Sequence, residues 1–122
     1  MPIVDVTLIA APSAAARPSL ARELADAIGA ALAAPAGHVW VRLARLAPSD
    51  YAENGGALGE GEAPAFVTVL HADPPEGEAR AAEAQAIASA VAGCLGREVG
   101  WVHVEYAPAG RGRIAFGGKL LT

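Results

Sequence analysis

The apolar pattern of this chain repeats once at a fixed distance. Leu24, Ile28 and Leu32 recur as Ile87, Val91 and Leu95, and Val39 and Val41 recur as Val102 and Val104, each 63 positions on. The outer marks repeat too. Pro2-Ile3-Val4 opens a stretch that Gly55-Gly56 closes, and Pro64-Ala65-Phe66 opens one that Gly117-Gly118 closes. The first set is spaced as on a helix and the second as on a strand. One offset shared by both points to two copies of a single supersecondary unit. The units are placed at 2–56 and 64–118, joined by 57–63, within one domain over 1–122.

Each unit is expected to run β-α-β. Ile3 to Ile9 and Phe66 to His71 are short runs rich in strand-forming residues. Leu20, Leu24, Ile28 and Leu32 form one apolar stripe at helical spacing, with Pro18 expected in the first turn. A second helix is expected from about Glu76 to Leu95, after Asp73-Pro74-Pro75 and before Gly96. The second strands, Val39 to Leu43 and Trp101 to Tyr106, alternate. Their valine faces should cover the helices. The opposite face carries Trp40, Arg42, His103 and Glu105. Those side chains are too polar for a core and too aromatic for plain solvent, so another subunit or a ligand should meet them. A β-α-β crossover joins parallel strands with a right-handed turn. Two units therefore predict a four-stranded α/β (α+β) sheet with two helices on one face. The uncovered face predicts an oligomer.

Composition narrows the function classes. Hydrophobic residues make up 53% and charged residues 18%, which suits a packed core. The net charge of −4 argues against nucleic acid as a partner. The single cysteine, Cys94, cannot form an internal disulfide and fits a cytoplasmic setting. It stands beside Leu95 on the helix's apolar side, more in keeping with core than with a nucleophile. No run reaches the roughly 18 apolar residues of a membrane span, and no signal peptide is evident. His38, His71 and His103 lack metal-ligand spacing.

Met-Pro at the start, a short strand, an amphipathic helix, an alternating strand and a hairpin ending in Gly-Gly together resemble the tautomerase superfamily. Ala27-Ile28 through Val39-Trp40-Val41 is similar to the helix end and second strand of the oxalocrotonate tautomerase family. Trp101 through Leu120, with Ile114-Ala115-Phe116-Gly117-Gly118, matches that strand and hairpin a second time. The resemblance covers nearly the whole chain and points to the fused members, and to the trimeric macrophage migration inhibitory factor and malonate semialdehyde decarboxylase groups. It implies a homotrimeric barrel of sheets and a cofactor-independent isomerase acting on a small carboxylate. Two departures stand out. The single-unit enzymes carry one arginine just after the first strand, where this chain has Pro12 and Pro75. They carry another on the second strand, where it has Trp40 and His103. Glu60 and Glu62 stand where the decarboxylase relatives have arginine, which weighs against decarboxylation.

The resemblance makes Pro2 the catalytic residue. With Met1 removed, its nitrogen is a secondary amine. An α-amino group titrates near pH ~8, and burial or a neighbouring arginine would lower that. The free base could then move a proton between carbon and oxygen of a keto–enol pair. With Met1 retained, the nitrogen is an amide and no base. Pro64 lies inside the chain and is structural. Arg111 and Arg113 are either a paired carboxylate clamp or a solvated turn. Trp40, His103 and Tyr51 could line a site at a subunit boundary, with His103 more in keeping with a polar interface residue. The alternatives are a cofactor-free hydratase or dehalogenase using Glu105, or a non-catalytic assembly protein of the same fold.

Overall fold

The computed structural model describes residues 2–10, 17–56, 58–59 and 63–122. Met1, Pro12, Glu60 and Glu62 lie outside the described residues. The elements run β1 (Ile3–Ile9), α1 (Leu20–Ala31), β2 (Trp40–Leu46), β3 (Ala65–Leu70), α2 (Gly77–Leu95), β4 (Val102–Tyr106), β5 (Ala115–Phe116) and β6 (Lys119–Leu120).

The main sheet has the order β2-β1-β3-β4. β1 and β2 are parallel, and so are β3 and β4. Each pair is joined through its helix, as a crossover requires. The two units meet through β1 and β3, which are antiparallel, with Ile3 opposite Leu70 and Leu8 opposite Ala65. The result is a mixed sheet in which the units are related end for end.

Alternation sorts the faces. Val4, Val6 and Leu8 of β1 and Ala65, Val67 and Val69 of β3 are buried in one cluster with Leu20, Leu24 and Ile28 of α1 and Ile87 and Val91 of α2. Cys94 packs against that cluster, and burial pushes its thiol above the ordinary range. The helices therefore lie together on one face. The other face holds Trp40 and Arg42, Asp5, Phe66 and Thr68, then His103 and Glu105, as the alternation predicts.

Several boundaries differ from expectation by a few residues. β2 starts at Trp40, whose N–H donates to the Pro2 carbonyl at 3.1 Å, and continues to Leu46 because β1 offers a partner as far as Ile9. Trp101 sits in a 3-10 turn (Val99–Trp101) ahead of β4. Pro18 stands just before Ser19, which caps α1, so it precedes the first turn. Gly96, at φ +64°, turns the chain out of α2, and Arg97 N–H closes on the Ala92 carbonyl at 3.0 Å. Gly117 and Gly118, at φ +57° and +85°, supply the two left-handed positions of the tight turn between β5 and β6. The first unit carries no such hairpin: residues 47–56 form a 3-10 turn (Pro48–Asp50) and irregular chain.

Candidate active site

Pro2 is buried at the head of β1. Its carbonyl is fixed by Trp40 on one side. On the other side it lies one step beyond the Ile3–Leu70 pair, next to His71 at the exit of β3. The antiparallel junction thus places the head of the first unit against the loop that leaves the second. Pro2, His71 and Tyr106 continue the alternation of residues that face the helices on their respective strands.

Three segments converge on this corner. The chain after β4 continues in parallel beside the exit of β3: Ala107 N–H donates to the Val69 carbonyl at 2.9 Å and Gly110 N–H to the His71 carbonyl at 2.7 Å. Gly110 is required there. A Cβ at that position would stand 2.3 Å from Ile114 Cδ1 and 3.1 Å from the His71 oxygen. From α2, Glu83 reaches down to the strands. Its carboxylate faces His71 Nε2 at 3.0 Å and accepts from the Tyr106 hydroxyl at 2.6 Å. The His71 and Glu83 side chains are only 13% and 15% exposed, so these bonds are made in low dielectric. Burial first, and then the Glu83 carboxylate, push the Tyr106 phenol well above its ordinary range. The His71 and Tyr106 rings stack at 6.3 Å.

Arg80, one turn into α2, folds back over this cluster. Its Nε donates to the Pro75 carbonyl at 2.7 Å, and its guanidinium lies 5.6 Å from the centre of the Tyr106 ring. Beside it opens a cleft of 470 Å³ lined by Asp73, Pro74, Glu76, Arg80, Tyr106 and residues 107–109.

The residues singled out in the sequence divide between two ends of the sheet. Pro2, Trp40 and Arg111 share the corner just described, and Trp40 meets Phe116 of the hairpin edge-on at 5.4 Å. His103 and Tyr51 gather around Phe66 at the opposite end, with ring centres 5.4 and 5.7 Å from it. Within one chain they therefore do not join Pro2. Arg111 is engaged: its Nε and Nη2 grip both oxygens of Asp73, and its Nη1 donates to the Thr122 carbonyl at 2.8 Å. That hydrogen bond holds the Asp73 carboxyl below the usual carboxylate range. The Arg113 side chain is exposed and makes no bond among the described residues. Arg42 is clamped by Asp5 at 2.5 and 2.8 Å, and Glu105 accepts from Thr68 at 2.8 Å.

His71, Glu83 and Arg80 were not among the expected site residues. One signal was present for Arg80. It is a cation in the first turns of a helix, where the dipole opposes positive charge, so something other than the helix must hold it.

A proline heading the central strand of a sheet built from two fused β-α-β units defines a small class of folds. No protein-family model and no curated protein matches the chain. Solved structures do. A symmetric trimer of fused 4-OT is 25% identical, with a TM-score of 0.75 over 98% of this chain and 94% of its own. FG41 malonate semialdehyde decarboxylase, inhibited by 3-bromopropiolate, is 20% identical, with a TM-score of 0.69 over 94% and 88%. The macrophage migration inhibitory factor homologue from Prochlorococcus marinus is 16% identical, with a TM-score of 0.72 over 98% and 99%. The chain has the fold of the tautomerase superfamily, in its two-unit form.

Proposed function

We propose that the chain, once Met1 is removed, is a cofactor-independent keto–enol tautomerase of a small 2-oxo or enol carboxylic acid. The observation that carries this is the position of Pro2. It is buried at the head of a central strand, opposite His71, at the end of the sheet where a cleft walled by a guanidinium and a phenol opens. Burial and nearby positive charge both favour the uncharged amine. As free base it takes the proton from the carbon beside the carbonyl, and the electron pair moves to the carbonyl oxygen. That oxygen gains a proton, so the enol forms with no change in overall composition. The likeness to fused 4-OT supports the same reading. It also supports a homotrimer, in which the Trp40, Phe66 and His103 face would be covered. In such an assembly a neighbour's His103 and Tyr51 could complete the corner that they do not reach within one chain.

The test is direct. Mature protein, its N-terminus verified by intact mass, is expected to run as a trimer in light scattering and to ketonise phenylenolpyruvate. A monomer, or a trimer with a free Pro2 amine and no activity on any enol acid, would leave the non-catalytic assembly reading in its place.

A further inference from the structure

The positive charges at the Pro2 corner are not equivalent. Arg111 grips both oxygens of Asp73, and Arg42, further along the open face, is held the same way by Asp5. Each carries a counterion already. Arg113 is exposed. Arg80 differs from all three. It is half-buried, its only hydrogen bond among the described residues is from Nε to a backbone carbonyl, and its guanidinium lies over the Tyr106 ring. Glu83, three residues on, has its oxygens directed to His71 and Tyr106. Arg80 lines the cleft with its Nε anchored on Pro75, and no hydrogen bond among the described residues occupies its two terminal nitrogens. A planar fork held in this way matches a carboxylate. It also stands beside Pro75, where the sequence lacks the arginine that the resemblance leads one to expect.

The rest of the lining limits what else can enter. Asp73 and Glu76 are its other ionisable groups with charge at neutral pH, and both are acids. A ligand with one carboxylate meets Arg80. A second carboxylate on the same small molecule would face Glu76, or the Asp73–Arg111 pair whose cation is already taken, so no free cation in the lining receives it. The smaller cleft, 260 Å³ beside α1, offers no cation at all and one acid, Asp26.

We infer that Arg80 is the carboxylate-binding residue of the Pro2 site, and that the site selects monocarboxylates over dicarboxylates. This rests on the tautomerase reading for its chemistry, though not for its binding. The experiment uses mature full-length protein and two substrates, phenylenolpyruvate with one carboxylate and 2-hydroxymuconate with two. Phenylpyruvate binding is followed separately by calorimetry. The expected result is a kcat/KM at least ~10-fold higher for the monoacid. Arg80→Gln should raise its KM on the order of tenfold or more, the size of one lost charge-assisted hydrogen bond. Arg80→Lys, which keeps the charge and stem but not the fork, should fall between. Arg22→Gln, on the exposed side of α1, is the charge control. A KM rise confined to Arg111→Gln, or a preference for the diacid, overturns the inference. Should neither substrate turn over, the tautomerase reading fails while calorimetry still decides Arg80. Phenylpyruvate binding weakened about tenfold or more in Arg80→Gln, and by less in Arg80→Lys, supports it. Binding unchanged in Arg80→Gln, or absent from the parent protein, overturns it.

Discussion

The two ends of the central strand pair have the same backbone and different contents. At one end Pro2 heads β1, and its carbonyl takes the Trp40 N–H. At the other, Pro64 precedes β3, and its carbonyl takes the Ile9 N–H at 3.3 Å. Both prolines are buried. Around Pro2 stand His71, Glu83, Tyr106 and Arg80, with a cleft. At the Pro64 end the rings of Tyr51 and His103 gather on Phe66, and Arg97 donates to the Ala63 carbonyl at 2.8 Å. The contrast teaches that register is inherited by the pair of units while side-chain chemistry is not. The Pro2 end holds the part-buried His71, Glu83 and Tyr106 cluster, and the Pro64 end holds ring contacts on Phe66.

The largest effect should separate the prolines. Pro2→Ala is expected to cost ~10²-fold or more in turnover, and Pro64→Ala to leave turnover within a few-fold while lowering stability. An acetylenic acid should label one site per chain, at Pro2, by peptide mapping. Equal losses in both variants, or label on Cys94, would break the comparison.

A smaller effect tests the packing of the corner. Gly110→Ala forces a methyl into Ile114 and the His71 carbonyl, and should lose about 1–3 kcal/mol in urea unfolding. At the 63-residue offset of the repeat, the first unit has Ala47. A neutral Gly110→Ala would mean that the loop does not pack on β3 as described.

The smallest effect is in alkali. The Tyr106 phenol is raised in the folded state, so its contribution is complete below the unfolded value near pH ~10 and is lost as pH rises toward the folded one. Stability should therefore fall more steeply above pH ~10 in the parent protein than in Tyr106→Phe, measured by thermal melts across that range.

Much of the fold could be read from period alone. The limits of β1, the stripe on α1 and the polar–aromatic face of Trp40, Arg42, His103 and Glu105 all follow from alternation or helical spacing. Strand ends were less legible, because a partner sets them: β2 runs to Leu46 only because Ile9 is there to pair with it. The site was legible at Pro2 and little beyond. Trp40 and His103 look equivalent in the sequence, yet the antiparallel β1–β3 junction sends them to opposite ends of the sheet. The second unit's own crossover gathers His71, Arg80 and Tyr106, which lie on a loop, a helix and a strand that no local pattern connects, and the junction brings Pro2 to that end of the sheet. Arg111 illustrates the remaining gap. Its sequence context reveals a basic turn but not the distant Asp73 that neutralises it.

The end-for-end meeting of β1 and β3 has a consequence for how such a chain can change. The proposed base belongs to one half of the polypeptide, while the cleft at the same end of the sheet is lined by the other, from Asp73 to Ala109. Substitutions that alter which molecule is accepted therefore fall in a stretch that is free of the duty of supplying the amine. Reactivity and selectivity are inherited on separate segments, and selection can act on one while the other is held constant.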